Sequence, residues 1–218
     1  MNSFYQGKAR FSYDKSYLCS SKPGLGVLEI WMVLHGYGQL APFFLRKFRP
    51  LFHPERLIIA PEGINHFYQE GYSGRVGANW MTSHERENDI KNTLSYLDEV
   101  LIETLQQIPI TPTINVLGFS QGAATLSRWV AQSAHPVKKL VLWGGGLAHD
   151  LDVAAFRENI SNTSIILAVG NRDEFLTPER QREQETLWSE VNPGNRQIKT
   201  YDGGHELDDR LLYEIFTT

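Results

Sequence analysis

Ser120 lies in the pentapeptide GFSQG (118–122), a setting that suits a serine to nucleophilic chemistry. An apolar run precedes this pentapeptide and a segment rich in small residues follows it, as at a nucleophile elbow between a strand and a helix. Such a turn holds the serine in a strained backbone conformation with its hydroxyl above the sheet. A Cβ at either flanking glycine would collide with the neighbouring strand or helix. We therefore predict that Ser120 is a nucleophile; the alternative is a plain strand–helix turn with a solvent-exposed serine.

His205 is the candidate base, because a serine at its ordinary pKa is a poor nucleophile and needs one. In hydrolases with this elbow, the chain order is serine, then an acid, then histidine. Three histidines follow Ser120: His135, His149 and His205. His205 lies in a glycine-containing turn after the last predicted strand, where its ring can reach over the sheet. His135 and His149 are interpreted as exposed loop residues, and a surface loop position is the alternative for His205.

Asp173 is the candidate acid that orients the histidine. It follows the sixth predicted strand, and ligand chemistry in open α/β sheets gathers at the carboxyl ends of the strands. Asp202, three residues before the histidine, and Glu174 are the alternatives. We prefer Asp173, because an aspartate as close to the histidine as Asp202 is committed to its own turn.

A second glycine turn, LHGYG (34–38), ends another predicted strand and is suited to an oxyanion hole. The donors are predicted to be the backbone N–H groups of Tyr37 and Gln121. His35 is interpreted as a structural hydrogen-bonding residue rather than a second base. The alternative is a simple glycine turn that closes a strand.

Short apolar runs alternate with helical patterns along the chain, and several runs are apolar almost throughout, as in parallel strands buried on both faces. The predicted strands are Lys8–Tyr13, Leu28–Leu34, Arg56–Ala60, Thr113–Leu117, Lys139–Trp143, Ser164–Val169 and Gln197–Tyr201. The predicted helices are Glu85–Ile108, Gln121–Ser133, a short one near Val153–Asn159, Pro178 to about Val191, and Glu206–Phe216. This alternation predicts an α/β fold with a mostly parallel central sheet, helices on both faces and an antiparallel edge formed by the first strand or two.

Helix-start signals accompany two of these segments. Thr82 and Glu85 have the spacing of a capping box. Thr177 and Pro178 suit the N-cap and first position of the helix that follows Asp173.

Two intervals bear on the substrate. The interval 144–173 is too short for a cap domain, which predicts an open, shallow site. Residues 65–83 are predicted to be a long aromatic loop, and long loops are often functional. Trp80 in this loop and Leu176 are the candidate substrate-binding residues; the alternative is that Trp80 packs the loop onto the sheet.

Composition excludes several classes of function. A formal net charge of −4 without a basic run argues against a nucleic-acid partner. There is a single cysteine, and no apolar stretch reaches the ~20 residues of a membrane span. His66, His84 and Glu85 lack metal-ligand spacing, so no metal and no cofactor are expected. We expect one domain over residues 1–218, because no repeat or linker appears, and a cytoplasmic protein, because no secretory signal is evident.

The chain resembles the phospholipase/carboxylesterase family, which includes small serine carboxylesterases and acyl-protein thioesterases. The matching segments are LHGYG (34–38), APEG (60–63), GFSQGAA (118–124), GNRDEFLTP (170–178) and DGGHEL (202–207). The resemblance implies the α/β-hydrolase fold, hydrolysis of a small ester or thioester without a cofactor, and possible homodimers. The triad implied is Ser120, Asp173 and His205. The chain departs from the family at Gln39-Leu40, where Asp-Gly is common, and over residues 64–82.

The leading functional hypothesis is therefore a serine hydrolase that cleaves esters of short to medium acyl groups through an acyl-enzyme. A thioesterase with the same triad is the first alternative. A non-catalytic binding protein of this fold is the second.

Overall fold

A seven-stranded sheet forms the centre of the computed structural model, which describes Tyr5 and residues 7–218. The described strands are β1 (Tyr17–Cys19), β2 (Glu29–Leu34), β3 (Arg56–Pro61), β4 (Asn65–Glu70), β5 (Ser73–Asn79), β6 (Thr113–Phe119), β7 (Lys139–Trp143), β8 (Ser164–Gly170) and β9 (Arg196–Tyr201). The order in the main sheet is β1-β3-β2-β6-β7-β8-β9, and β1 alone among these strands pairs antiparallel. This confirms the predicted parallel α/β fold with an antiparallel edge.

Helices cover both faces of this sheet. They are α1 (Ala41–Arg46), α2 (Arg86–Leu105), α3 (Gln121–Gln132), α4 (Val153–Asn159), α5 (Pro178–Val191) and α6 (Asp209–Thr217). Because side chains alternate along a strand, β2 sends Ile30 and Met32 into the apolar layer under α2 to α5. The same strand sends Trp31 and Val33 into the layer under α1 and α6. The sheet is thus buried on both faces, which explains the apolar runs of its strands.

The predicted first strand is wrong. Residues 8–13 form no strand, and β1 lies further along the chain, where Tyr17–Cys19 pairs with Ile59–Pro61. Phe11 is 85% exposed, so the alternating aromatic residues of this segment do not face a core. An alternating pattern of aromatic residues therefore does not form a strand where these side chains are not buried.

The predicted loop over residues 65–83 is also wrong in large part. β4 and β5 form an antiparallel hairpin, with Gly71 at φ +64° in its turn and an irregular register between Tyr68 and Glu70. The hairpin stands apart from the main sheet and joins the glycine turn after β2 through a bridge between Gln39 and Ala78. The glycine in the turn was an available hairpin signal.

Two helix starts differ from the prediction. Thr82 and Glu85 form no capping box, because Glu85 adopts a left-handed conformation (φ 50°) and the Thr82 hydroxyl donates to the His84 carbonyl. The last helix begins at Asp209 instead of Glu206, because the Glu206 carbonyl accepts hydrogen bonds from the Trp143 indole and the Tyr201 hydroxyl.

The start of α5 is as predicted. The Thr177 hydroxyl accepts from the Arg180 N–H, and Pro178 occupies the first turn. The interval between β7 and β8 contains one described helix, the seven-residue α4, and so leaves no room for a cap domain. Within the described residues, no helix combines the length and apolar character needed to cross a membrane.

Candidate active site

Ser120 lies at the junction of β6 and α3 in a conformation rare for a residue with a side chain, φ 55° and ψ −117°. The elbow is tight on both sides. A Cβ at Gly118 would strike the backbone of Gly122, and a Cβ at Gly122 would lie 2.5 Å from the Leu34 carbonyl oxygen. The two glycines let β2, β6 and α3 approach closely enough to force this turn.

The structure brings the three predicted side chains into one hydrogen-bonded chain. His205 Nε2 lies 2.8 Å from Ser120 Oγ, and His205 Nδ1 lies 2.8 Å from Asp173 Oδ2. With Nδ1 donating to the carboxylate, Nε2 is left free to accept the serine proton. These residues are 85 and 32 positions apart along the chain, so their meeting results from the fold.

The imidazole is held from three sides. Its centroid lies 4.9 Å from that of Phe119 and 4.6 Å from that of Phe175. Gly144, at φ +56°, passes so close that a Cβ there would lie 3.1 Å from the ring. Because the ring is confined in this way, its two nitrogens already point toward Ser120 and Asp173 before a substrate binds.

Asp173 is placed for orienting the ring, and its competitor is not. The Asp173 side chain is 3% exposed, and its second oxygen accepts a hydrogen bond from the Phe175 N–H at 2.9 Å. Asp202 instead pairs with Arg172 and Asn171 at the surface. Asp202 is therefore occupied by the loop after β8, and not by its own turn as the sequence argument assumed.

The predicted oxyanion donors come from two separate loops. The Gly36 N–H donates to the Gln39 side chain at 2.9 Å, and the Gly38 N–H donates to the Ala78 carbonyl at 2.8 Å. Within the described residues, the Tyr37 N–H between them has no such acceptor. The Gln121 N–H opens α3 and so has no intrahelical partner. Gln39, where the chain departs from the family, thus closes the turn with its own amide.

His35 is a structural residue, as predicted. Its Nδ1 donates to the Gly36 carbonyl at 2.8 Å, and its Nε2 accepts from the Gly63 N–H at 2.9 Å. Burial lowers the pKa of His35 to about 4, although the Gly36 carbonyl acts in the opposite direction. The ring is therefore neutral, and it links the glycine turn to the residues that follow β3.

Trp80 is placed in the core rather than in the cleft. Its side chain is 1% exposed, its indole donates to the His35 carbonyl at 2.8 Å, and its own N–H donates to the Gln121 side chain at 3.1 Å. Gln121 also donates to the Met81 carbonyl at 3.0 Å. The packing alternative for Trp80 is favoured, and the residue joins the two loops that carry the predicted donors.

A cleft of about 420 Å³ opens at Ser120. Leu176, the other candidate substrate-binding residue, lines it together with Phe175, Met81 and Gln184 of α5. Sequence reasoning missed the last three, because no local pattern marks a residue as lining a space between distant elements. Arg128 also lines the cleft, and two of its nitrogens donate to one oxygen of Asp150.

Asp150, the acid of this ion pair, is stabilised in its anionic form. Burial alone would raise the pKa of Asp150, but hydrogen bonds from Arg128 and Arg86 outweigh it and lower the pKa to about 2. The Arg128 charge is therefore already compensated. No group of three metal-binding side chains occurs in the part of the chain that the structure describes.

Comparison with protein-family models matches residues 26–217 to the phospholipase/carboxylesterase family. Acyl-protein thioesterase 2 from Zea mays is similar in structure, with a TM-score of 0.70 at 16% identity over 94% of this chain and 97% of the other. A phospholipase/carboxylesterase from Dyadobacter fermentans gives a TM-score of 0.69 at 21% identity over 97% and 100% of the two chains. Esterase PE8 gives 0.67 at 17% identity over 93% and 95%. At these identities, structural likeness establishes the fold. No curated protein matches the sequence significantly.

Proposed function

This chain belongs to the phospholipase/carboxylesterase family, and we propose that it is a serine hydrolase of carboxylic esters with short to medium acyl groups. The observation that carries the proposal is the hydrogen-bonded series from Ser120 through His205 to Asp173, with 2.8 Å at each step. The open cleft, without a covering domain, fits a small-molecule substrate.

In the proposed mechanism, Ser120 Oγ attacks the ester carbonyl while His205 Nε2 takes the hydroxyl proton. The carbonyl oxygen becomes an oxyanion and accepts hydrogen bonds from the Tyr37 and Gln121 N–H groups. As the tetrahedral intermediate collapses, the carbon–oxygen bond to the alcohol breaks, and the imidazolium gives its proton to the departing oxygen. Water then attacks the acyl-enzyme with the same imidazole as base, releasing the acid and restoring the serine.

Asp173 holds the imidazole in the tautomer that this sequence of steps requires. It also stabilises the imidazolium that forms twice in each cycle. Its bond from the Phe175 N–H orients the carboxylate, which is buried and therefore interacts strongly with the ring.

A thioesterase is the second candidate, favoured by the similarity to the maize acyl-protein thioesterase. The same residues attack a thioester carbonyl, and a thiol leaves in place of the alcohol. Parallel assays on p-nitrophenyl esters and on acyl thioesters of equal chain length separate the two activities.

The decisive experiment is labelling with a fluorophosphonate probe, combined with ester hydrolysis. Wild-type protein is expected to be labelled and active, and Ser120→Ala to lose both. Ser161→Ala, which removes an exposed serine, is the matched control and is expected to behave as wild type. An inert wild-type protein, or labelling that survives Ser120→Ala, rejects the serine mechanism and favours a non-catalytic binding protein.

A further inference from the structure

A second space lies beside the glycine turn, between α1 and the β4–β5 hairpin. We call it the hairpin groove, and its volume is about 420 Å³. Its lining is Gly38, Gln39, Leu40, Phe43, Phe44, Lys47, Gln69, Arg75 and Val76. It shares no lining residue with the cleft at Ser120.

The hairpin groove starts at the residue next to the Tyr37 N–H, the predicted oxyanion donor. Adjacent Cα atoms are about 3.8 Å apart, so Gly38, which lines the groove, lies next to the residue that carries this donor. The cleft is formed by α5 and the segment after β7, whereas the hairpin groove is formed by α1 on the other face of the sheet. The two spaces therefore flank the segment that carries the Tyr37 N–H from different faces of the sheet.

The floor of the hairpin groove is apolar. Phe44 is buried beneath it, while Phe43 is 58% exposed and Val76 is also exposed. Burial of such surface against an alkyl chain favours binding, because it removes apolar area from water.

The charge of the hairpin groove has one sign. Its two charged lining residues, Lys47 and Arg75, are both cationic, and neither forms a salt bridge within the described residues. A third cation, Arg46, lies over the Phe43 ring at 4.7 Å. The cleft at Ser120 differs, because its cations are accompanied by acids: Arg128 pairs with Asp150, and Arg180 shares the lining with Glu183. Two cations without a salt bridge in the lining of an apolar groove suit an anion, in a chain whose net charge is −4.

We propose that the hairpin groove binds one end of the substrate, an apolar chain of a few methylenes that ends in a carboxylate. The chain lies on Phe43 and Val76, and the carboxylate pairs with Arg75 and Lys47; a guanidinium can bind both carboxylate oxygens at once. This inference rests on the proposed function, and it names the substrate class for the same site. The carboxylate could belong to the acyl part or to the leaving group, and the experiment separates these.

The test uses ester pairs that differ only in charge. In the acyl arm, p-nitrophenyl hexanoate is compared with the mono-p-nitrophenyl ester of adipic acid. In the leaving-group arm, the hexanoate ester of hexanol is compared with that of 6-hydroxyhexanoic acid. Wild-type protein is expected to prefer the anionic member in one arm, and the preference is expected to fall as salt is added.

Variants that remove one charge each test whether Lys47 and Arg75 cause the preference for the anionic ester. Lys47→Gln and Arg75→Gln are each expected to lower kcat/KM for the preferred anionic ester about two- to fivefold, and the double variant about tenfold, as is typical of exposed ion pairs. Hydrolysis of the neutral partner is expected to stay unchanged. Lys91→Gln removes an exposed cation from α2, outside the hairpin groove, and is expected to change neither rate.

The outcomes distinguish the two proposals. If neutral esters are hydrolysed but neither arm shows a preference, or if Lys47→Gln and Arg75→Gln slow both members of a pair equally, the hairpin groove does not bind the anion and the hydrolase proposal stands. If no ester or thioester is cleaved and the fluorophosphonate probe does not react, the hydrolase proposal fails and this inference fails with it.

Discussion

Every proton transfer of the proposed mechanism passes through one imidazole, that of His205. In that mechanism Nε2, which lies 2.8 Å from Ser120 Oγ, accepts the serine proton, while Nδ1 is bound to a buried carboxylate. The neighbouring Phe119 and Phe175 rings restrict its orientation. The residue must be neutral to start the reaction and cationic part-way through it, so its protonation state controls the rate.

This requirement predicts the pH dependence of activity. We expect kcat/KM for a neutral ester to rise with pH and then to reach a plateau, because only the neutral imidazole accepts the serine proton. Initial rates in overlapping buffers from pH 5 to 8 measure it. A flat profile over that range would contradict the role of His205 as base.

The two candidate acids can be separated by matched substitutions. Asp173→Asn is expected to lower kcat by about 10³-fold or more, because the amide does not hold the imidazole in the required tautomer. Asp202→Asn removes a surface partner of Arg172 and is expected to leave kcat near the wild-type value. Equal losses in both variants would count against the assignment of Asp173.

At the scale of elements, Trp80, directly after β5, joins the two loops that carry the proposed oxyanion donors. Trp80 donates from its indole to the His35 carbonyl and from its backbone to the Gln121 side chain. The hairpin also meets the glycine turn through Gly38 and Ala78. We therefore expect Trp80 to fix the distance between the Tyr37 and Gln121 N–H groups. Trp80 itself does not line the cleft.

Weakening this connection should impair the chemical step more than substrate binding. Gln121→Met removes both side-chain hydrogen bonds at similar length and is expected to lower kcat about tenfold with little change in KM, a fraction of the 10²–10³ typical of a lost oxyanion donor. Gln121→Glu keeps the acceptor for the Trp80 N–H and is expected to lose less.

Gln132→Met, at the exposed end of the same helix, serves as control. Affinity for a boronic acid that mimics the tetrahedral intermediate should fall in parallel with kcat. If KM rises while kcat and boronic acid affinity stay constant, Gln121 does not position the donors.

At the scale of the whole molecule, His35 couples stability to pH. Burial lowers its pKa to about 4, whereas in the unfolded chain a histidine has its ordinary pKa of about 6.5. Between these values the unfolded state binds a proton that the folded state does not. The free energy of unfolding therefore falls as pH decreases from 6.5 to 4, by about 3 kcal/mol from this residue alone.

Denaturant unfolding at pH 7 and at pH 4.5 tests this coupling. His35→Gln is expected to be less stable than wild type at pH 7 but to lose less stability on acidification. His135→Gln, in a partly exposed loop, is expected to show the same pH dependence as wild type. Parallel stability curves for His35→Gln and wild type would show that the buried imidazole does not control the effect.

Local sequence determined the features that depend on neighbouring residues. The apolar runs predicted the parallel sheet, the two glycines predicted the tight turn at Ser120, and Thr177-Pro178 predicted the start of α5. Each of these is set within a few positions, by side-chain alternation, by the absence of a Cβ or by a side-chain cap. One domain, possible dimers and a cytoplasmic location remain predictions.

Tertiary structure decided what depends on distant partners. Pairing made residues 65–79 a hairpin and left residues 8–13 without a strand, because a strand exists only where a partner satisfies its backbone groups. Packing placed Trp80 in the core, and the fold brought Lys47 to the same groove as Arg75. Contacts between residues so far apart in sequence depend on how whole elements pack together, and a local sequence pattern does not determine that packing.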